Sequence, residues 1–418
     1  MSTAFPEHGT PPADVFAEME DARKTDVDWR RGRLGLYVHF GGDDVLDVAK
    51  EAYRRFFSEN ALGPKAFPSL KKFEDDIVRW TADLLHGGPD ATGVVSSGGT
   101  ESIFLAVKTA RDLARVEHPE ITAPEIVAPV SAHPAFDKAA HYLCMAVKRV
   151  PLRADYRADV PAMRAAITPN TIMIVGSAPT FPHGVIDPIE DIAALARERK
   201  LWMHVDACVG GFLAPFVRRL GYPIPPFDFA VDGVRSMSAD LHKYGFTAKG
   251  ASVMLLSDVR YRKHLVFEFD NWPRGKYAAP TFTGTRPGGA IAAAWAVLRY
   301  LGIDGYVRIA KELMTARDKM LNGIESIDGL AIVGEPDLTV FGYCTTDPDL
   351  DMFAVAEQMT KKGWFVSNMS EPPGVHMGMP TLAHVPVVDT YLADLRESVR
   401  TVRESKLTAA KREVTYGG

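Results

Sequence analysis

A chain of 418 residues is too long for one compact core, so a large domain with a smaller appendage, or two domains, is expected. Its 46% hydrophobic and 24% charged residues are the composition of a globular protein, and a formal net charge of −5 argues against a polyanion, so nucleic acid is not expected as a partner. The three cysteines, Cys144, Cys208 and Cys344, lie far apart without CxxC spacing, which argues against a disulfide framework and a zinc cluster.

The opening residues, "MSTAFPEHGTPPADVF", show no basic segment leading into an apolar run, and no stretch elsewhere reads as a bilayer span. A soluble, cytoplasmic protein is expected. After this polar start, apolar residues near helical spacing predict a helix over 42–58, "GDDVLDVAKEAYRRFFS". "ALGPKAFPSL" breaks it, and a second helix follows over 70–85. Short apolar runs then predict buried strands: "TGVVSS" (92–97), "EIVAPV" (125–130), "TIMIVG" (171–176), "LWMHVD" (201–206) and "SVMLLS" (252–257). Helical stretches at 100–115, 134–144 and 188–199 separate most of them, which predicts an α/β fold with a mostly parallel sheet covered on both faces. From about residue 290 the order changes to a helix, the weaker strands "LAIVG", "LTVFGYC" and "GWFVSN", and a final helix over 388–405. The expected division is an N-terminal segment (1–60), a large α/β domain (61–295) and a smaller C-terminal α+β domain (296–418).

Ligands of such sheets bind beyond the carboxyl ends of the strands. After "GVVSS" comes "GGTES", glycines and hydroxyls that open a helix and offer either a phosphate cradle or a plain helix cap. His133 stands at the exit of the "EIVAP" strand; a lone histidine there can equally be structural. Asp206 ends "LWMHVD" and can be a helix cap, the partner of a protonated ring nitrogen or, least favoured, a metal ligand with His204. "SADLHKYGFTAKG" (238–250) carries two lysines, Lys243 and Lys249, among small and aromatic residues. A lysine that forms an imine with an aldehyde cofactor needs a desolvated site, where its pKa should fall, and Lys243, preceded by His242, suits that role. Cradle, flat histidine, strand-end carboxylate and lysine together point to pyridoxal 5'-phosphate.

The wording and order of "SSGGTES", "EIVAPVSAHPAFDKAA", "FPHGVIDP", "MHVDACVGGF", "SADLHKYGFTAKG" and "TGTRPGG" resemble the sphingosine-1-phosphate lyases, which stand with the group II decarboxylases among fold-type I (aspartate aminotransferase-like) pyridoxal phosphate enzymes. The similarity runs from about Tyr37 to near Lys406. It implies that Lys243 is the Schiff-base lysine, His242 a neighbour of the cofactor phosphate, Asp206 the partner of the pyridine nitrogen, His133 the stacking histidine, and Gly99 and Thr100 part of the phosphate cup. It also implies a homodimer in which Thr285, in "TGTRPG", reaches the cofactor phosphate of the other subunit. Lys249, with Tyr37 and Asn60 of the partner chain, would bind the phosphate of the substrate.

Two departures stand out. Where the family pattern "NPLHPD" has a histidine, "NALGPK" has Gly63, with Lys65 two positions on; and the chain closes on "VTYGG", whose Tyr416 resembles a residue of a longer family tail. The activity implied first is retro-aldol cleavage of a phosphorylated long-chain amino alcohol to a fatty aldehyde and phosphoethanolamine. Amino-acid decarboxylation comes second, since the bond held perpendicular to the cofactor ring is the one that breaks. A cofactor-binding protein without catalysis is disfavoured because the cofactor set is complete. A nicotinamide oxidoreductase is disfavoured because no GxGxxG follows a strand.

Overall fold

Each apolar run predicted as a strand in the first two thirds of the chain is one, and two further strands join them. A computed structural model describes residues 4–410, 412 and 414–415. The chain opens with helices α1 (Pro12–Ala22), α2 (Asp43–Arg55) and α3 (Pro68–Leu84). Then β1 (Thr92–Ser96), α4 (Gly99–Glu117), β2 (Glu125–Pro129), α5 (Ala135–Tyr142), β3 (Ala146–Val150), α6 (Val160–Ala166), β4 (Thr171–Ser177), α7 (Ile189–Arg199), β5 (Trp202–Asp206), α8 (Ala214–Arg219), β6 (Val234–Ala239) and β7 (Ser252–Leu256) follow in turn. Helix α9 (Arg262–Leu265) and a hairpin of β8 (Phe267–Phe269) and β9 (Tyr277–Ala279) lead to the long helix α10 (Gly288–Glu325). The chain ends with β10 (Leu330–Ile332), β11 (Phe341–Thr345), α11 (Met352–Lys361), β12 (Ser367–Ser370), β13 (Pro373–Gly378) and α12 (Val388–Ser405).

The seven-stranded sheet has the order β1-β7-β6-β5-β4-β2-β3, parallel from β6 to β3, with β7 antiparallel to both of its neighbours. Alternate residues along one strand enter different cores: Val127, Ile174, Met203 and Val205 pack on one face, and Ile126, Ala128, Met173 and Val175 on the other. This burial on both sides is why the strands read as continuous apolar runs. Strands β3 and β6 escaped sequence reading for physical reasons. "AVKRV" is an edge strand that carries two cations, and "VRSMSA" spends its inward positions on serines. The C-terminal part builds a four-stranded antiparallel sheet, β10-β11-β13-β12, around its own core of Phe341, Tyr343, Met359 and Leu395. Its strands β11 and β12 begin later than the apolar runs suggested, and β13 was hidden behind a Pro-Pro-Gly sequence.

One sequence expectation needs correcting here. By length and composition α10 could cross a bilayer, the one helix among the described residues that could. In the fold it is a core helix, with Ile291, Val297, Ile309 and Leu313 buried, and it bends where Gly302 takes φ +53°.

Candidate active site

The carboxyl ends of β1, β2, β4, β5 and β6 open on a cavity of about 390 Å³, whose lining includes Gly99, Thr100, His133, Asp206, His242 and Lys243. Six of the residues singled out from the sequence therefore meet in one place. Helix α4 starts at the cavity with Gly98 as its cap, and its first backbone N–H groups have no partner within the helix. Gly99 is required by close approach: a Cβ there would lie 2.8 Å from both Asp240 Oδ2 and Cys208 Sγ. Glu101, buried and unforeseen, fixes this turn. Its Oε2 accepts from Ser97 N (2.7 Å) and Ser97 Oγ (2.5 Å), while its Oε1 accepts from Phe282 N (2.8 Å).

Lys243 Nζ forms an ion pair with Asp240 Oδ2 at 2.8 Å, and Asp240 Oδ1 is buried with no hydrogen-bond partner among the described residues. Burial would lower the lysine, but the attraction of Asp240 outweighs it and the ammonium is held well above its usual range. The sequence expectation of a depressed pKa was therefore wrong, because the decisive carboxylate lies three residues before the lysine and is turned toward it only by the loop after β6. Burial likewise pushes Asp240 up, and Lys243 overrides it, so the carboxylate stays ionised. Cys208 next to them is kept a thiol, first by burial and then by Asp206 and Asp240.

Asp206 ends a directional chain of hydrogen bonds. Oδ1 of Asp206 accepts from Cys208 N and from Ser238 Oγ, each at 3.1 Å. Ser238 gives its proton to that carboxylate, so it accepts from His204 Nε2 (3.3 Å). Burial pulls His204 down to about 4, against the Asp206 charge, so the ring is neutral and its Nδ1 must accept from Ser236 Oγ (2.8 Å). Ser236 in turn accepts from Trp202 Nε1 at 2.8 Å. His204 is thus a link in this chain rather than a metal ligand, and no cluster of metal-binding side chains exists among the described residues. In the same cavity His133 Nδ1 accepts from Ala135 N (3.1 Å), and His242 Nδ1 donates to Ala251 O (2.8 Å). Burial, their first cause, lowers both rings.

The remaining predicted residues stand outside the cavity lining. Lys249 is exposed as a residue, but its Nζ turns to the His242 carbonyl (3.0 Å) and to His39 Nδ1 (3.3 Å). Burial of that amine and repulsion by Lys243 pull it down to about 8. His39 was not found from the sequence, since an isolated histidine in "LYVHF" carries no spacing signal. Burial and its cationic neighbours hold it well below the usual range, which leaves Nδ1 free to accept from the lysine. Tyr37 is exposed, at φ +66°, with its ring edge-on to Phe365. Asn60 Nδ2 donates to Thr285 Oγ1 (3.2 Å), and Asn60 Oδ1 accepts from Arg286 N (3.3 Å), so these two residues are clasped in one protomer. Arg286 is paired with half-buried Glu74. Gly63 sits in a turn, its N–H bonded to Asn60 O, and Lys65 is exposed. Tyr416 lies outside the described residues.

One class of enzyme matches this architecture: those that carry pyridoxal phosphate at the carboxyl edge of a mostly parallel sheet. The residues present fit the cofactor. The first turn of α4 and the close approach at Gly99 offer backbone donors to a phosphate, Asp206 offers a carboxylate to a ring nitrogen, and Lys243 offers the amine.

Comparison with known proteins agrees. The model of the pyridoxal-dependent decarboxylase conserved domain matches residues 57–343. The chain is 43% identical over 404 residues to sphingosine-1-phosphate lyase 1 of Rattus norvegicus, covering 96% of this chain and 70% of the relative, and 43% identical over 398 residues to sphingosine-1-phosphate lyase of Arabidopsis thaliana, covering 93% and 72%. The solved structure of a Burkholderia pseudomallei sphingosine-1-phosphate lyase superposes with a TM-score of 0.92 at 37% identity, over 97% of this chain and 94% of that one. Glutamate decarboxylase of Lactobacillus brevis shares the fold, with a TM-score of 0.85 at 19% identity, over 98% and 96%. The chain belongs to the pyridoxal-dependent decarboxylase family, in its sphingosine-1-phosphate lyase branch, and pyridoxal phosphate is its cofactor.

Proposed function

We propose that this protein is a carbon–carbon lyase that cleaves a phosphorylated long-chain amino alcohol into a fatty aldehyde and phosphoethanolamine. The observation that carries this reading is the second amine: Lys249 Nζ, against the carbonyl of the residue that precedes Lys243, puts a cation beside the cofactor cavity where a substrate phosphate can be gripped. The 36–43% identity to sphingosine-1-phosphate lyases across eukaryotes supports it.

The cleavage breaks the bond between the amine-bearing and hydroxyl-bearing carbons; the hydroxyl loses its proton as its oxygen becomes the aldehyde, and the electron pair left behind takes up a proton. Bound pyridoxal phosphate supplies the electron-accepting ring for that pair. Asp206, fed by Ser238 and the Cys208 amide, stays an acceptor able to hold a proton on a ring nitrogen. Lys243 Nζ, kept protonated by Asp240 Oδ2, is the donor stationed in the cavity to return a proton to carbon. Lys249, oriented by His39, fixes the phosphate end and thereby which bond is aligned for cleavage. Decarboxylation is the family's other chemistry, and the shared cofactor residues with Gly63 in place of the family histidine are what keep it as the alternative.

The same reading includes a cytoplasmic homodimer. It is supported by the unpaired cysteines, and by the Asn60–Thr285 clasp, which carries together two residues that the family uses across its subunit boundary. Incubation of pure holoprotein with sphinganine 1-phosphate and, separately, with common amino acids decides the chemistry. Fatty aldehyde with phosphoethanolamine is expected; carbon dioxide without aldehyde would overturn it.

A further inference from the structure

A second, larger cavity of about 1070 Å³ adjoins the first, and His133 and Phe181 line both. Its wall is mostly apolar, yet it holds three polar atoms that are buried and have no hydrogen-bond partner among the described residues: Ser131 Oγ, His183 Nδ1 and Asn368 Oδ1. Ser131 and His183 each stand two residues from a residue shared between the two cavities, and they are 4% and 5% exposed. Asn368 comes from β12, across the cleft on the small sheet.

The chemistry of these atoms says what would satisfy them. His183 Nε2 donates to the Glu371 carbonyl at 3.3 Å, and burial lowers the ring, so it is neutral and Nδ1 is a lone-pair acceptor. Tyr156 stacks on the ring at 4.7 Å and holds its plane. Asn368 Oδ1 is an acceptor as well, and a serine hydroxyl can serve either way. A plain alkyl chain leaves all three unpaired, which protein interiors avoid, and a phosphate dianion has no proton to give them. An alkyl chain that carries a hydroxyl satisfies the apolar wall, gives its one proton to His183 Nδ1 or Asn368 Oδ1, and can accept from Ser131 Oγ.

We propose that this cleft receives the substrate chain beyond the reacting carbons, and that Ser131, His183 and Asn368 select long-chain base phosphates bearing a further chain hydroxyl near the reacting end; the proposal rests on the lyase reading above. A site built to bond a hydroxyl discriminates against the analogue that lacks it.

The test compares 4-hydroxysphinganine 1-phosphate with sphinganine 1-phosphate on holoprotein. Wild type is expected to favour the hydroxylated compound by about tenfold or more in kcat/KM. His183→Leu and Asn368→Leu are each expected to bring that ratio toward one, with the visible spectrum of the cofactor intact as the check on folding. Equal kcat/KM for the two compounds in wild type, or a ratio untouched by both substitutions, overturns the proposal and means that water serves these atoms. Calorimetric binding of the same pair reads the cleft without turnover. A preference in binding with no aldehyde formed refutes the lyase reading and keeps the cleft; aldehyde from both compounds with no preference in binding does the reverse.

Discussion

Lys249 gives the sharpest test of the substrate-phosphate grip. Its amine, pulled down to about 8 by burial and by Lys243, is a cation below that pH and neutral above it. A lowered lysine pKa means that the protonated, phosphate-binding form is complete at low pH and lost as pH rises through about 8. A phosphate monoester becomes a dianion above roughly pH 6. Between these limits grip should be strongest, and kcat/KM, which reports the free enzyme, should fall above pH 8. A hydrogen bond to a charged group contributes about 1.5–3 kcal/mol, so Lys249→Met should lower kcat/KM for a phosphorylated substrate roughly 10- to 150-fold. Lys249→Arg separates this limb from any other titration: it retains the cation, so the alkaline fall should move to higher pH, while a limb due to Lys243 or a histidine would stay in place. The assay is steady-state aldehyde release across pH 6–10, with cofactor occupancy followed by absorbance at each point. A Lys249→Met enzyme within about threefold of wild type, or an unmoved limb in Lys249→Arg, would refute the assigned role.

Other substitutions probe the cofactor cavity itself. Lys243→Ala should keep the fold and lose the imine absorbance and borohydride fixation of the cofactor; an unchanged spectrum would falsify the assignment. Ser238→Ala strips one donor from Asp206 and the acceptor from His204, both buried, and should cost about 1–3 kcal/mol in denaturant unfolding; a change under about 0.5 kcal/mol would mean that the chain of bonds is not a unit. Gly99→Val drives side-chain atoms into Asp240 and Cys208, and cofactor affinity should drop by at least about tenfold on titration of the apoprotein.

The sequence made the parallel sheet and the cofactor set legible for one reason: strands buried on both faces are unbroken apolar words, and the residues that follow each word are the site. Gly99, His133 and Asp206 stand at the exits of legible strands, whereas Lys243 is legible only from its neighbours in "SADLHKYGFTAKG". Contacts made by strand neighbours were not legible. Nothing in "VRSMSA" announces a strand, so the donors from Ser236 and Ser238 to His204 and Asp206 stayed hidden. Asp240 was overlooked as the residue that sets the charge of Lys243, because a spacing of three reads as one helical turn or as nothing. His39 and Glu101 act through partners some 200 residues away in the chain, and no local pattern encodes such distances.

The alignment of β5 with β6 has a meaning beyond cohesion. Opposite one another in that ladder stand His204 with Ser236 and Asp206 with Ser238, the same pairs that are hydrogen-bonded. A slip of one residue would turn every one of these side chains to the wrong face while keeping most apolar burial. The result would be a packed sheet in which Asp206 has lost Ser238 as its donor. Register between these two strands, and not packing alone, therefore decides whether Asp206 keeps its donor.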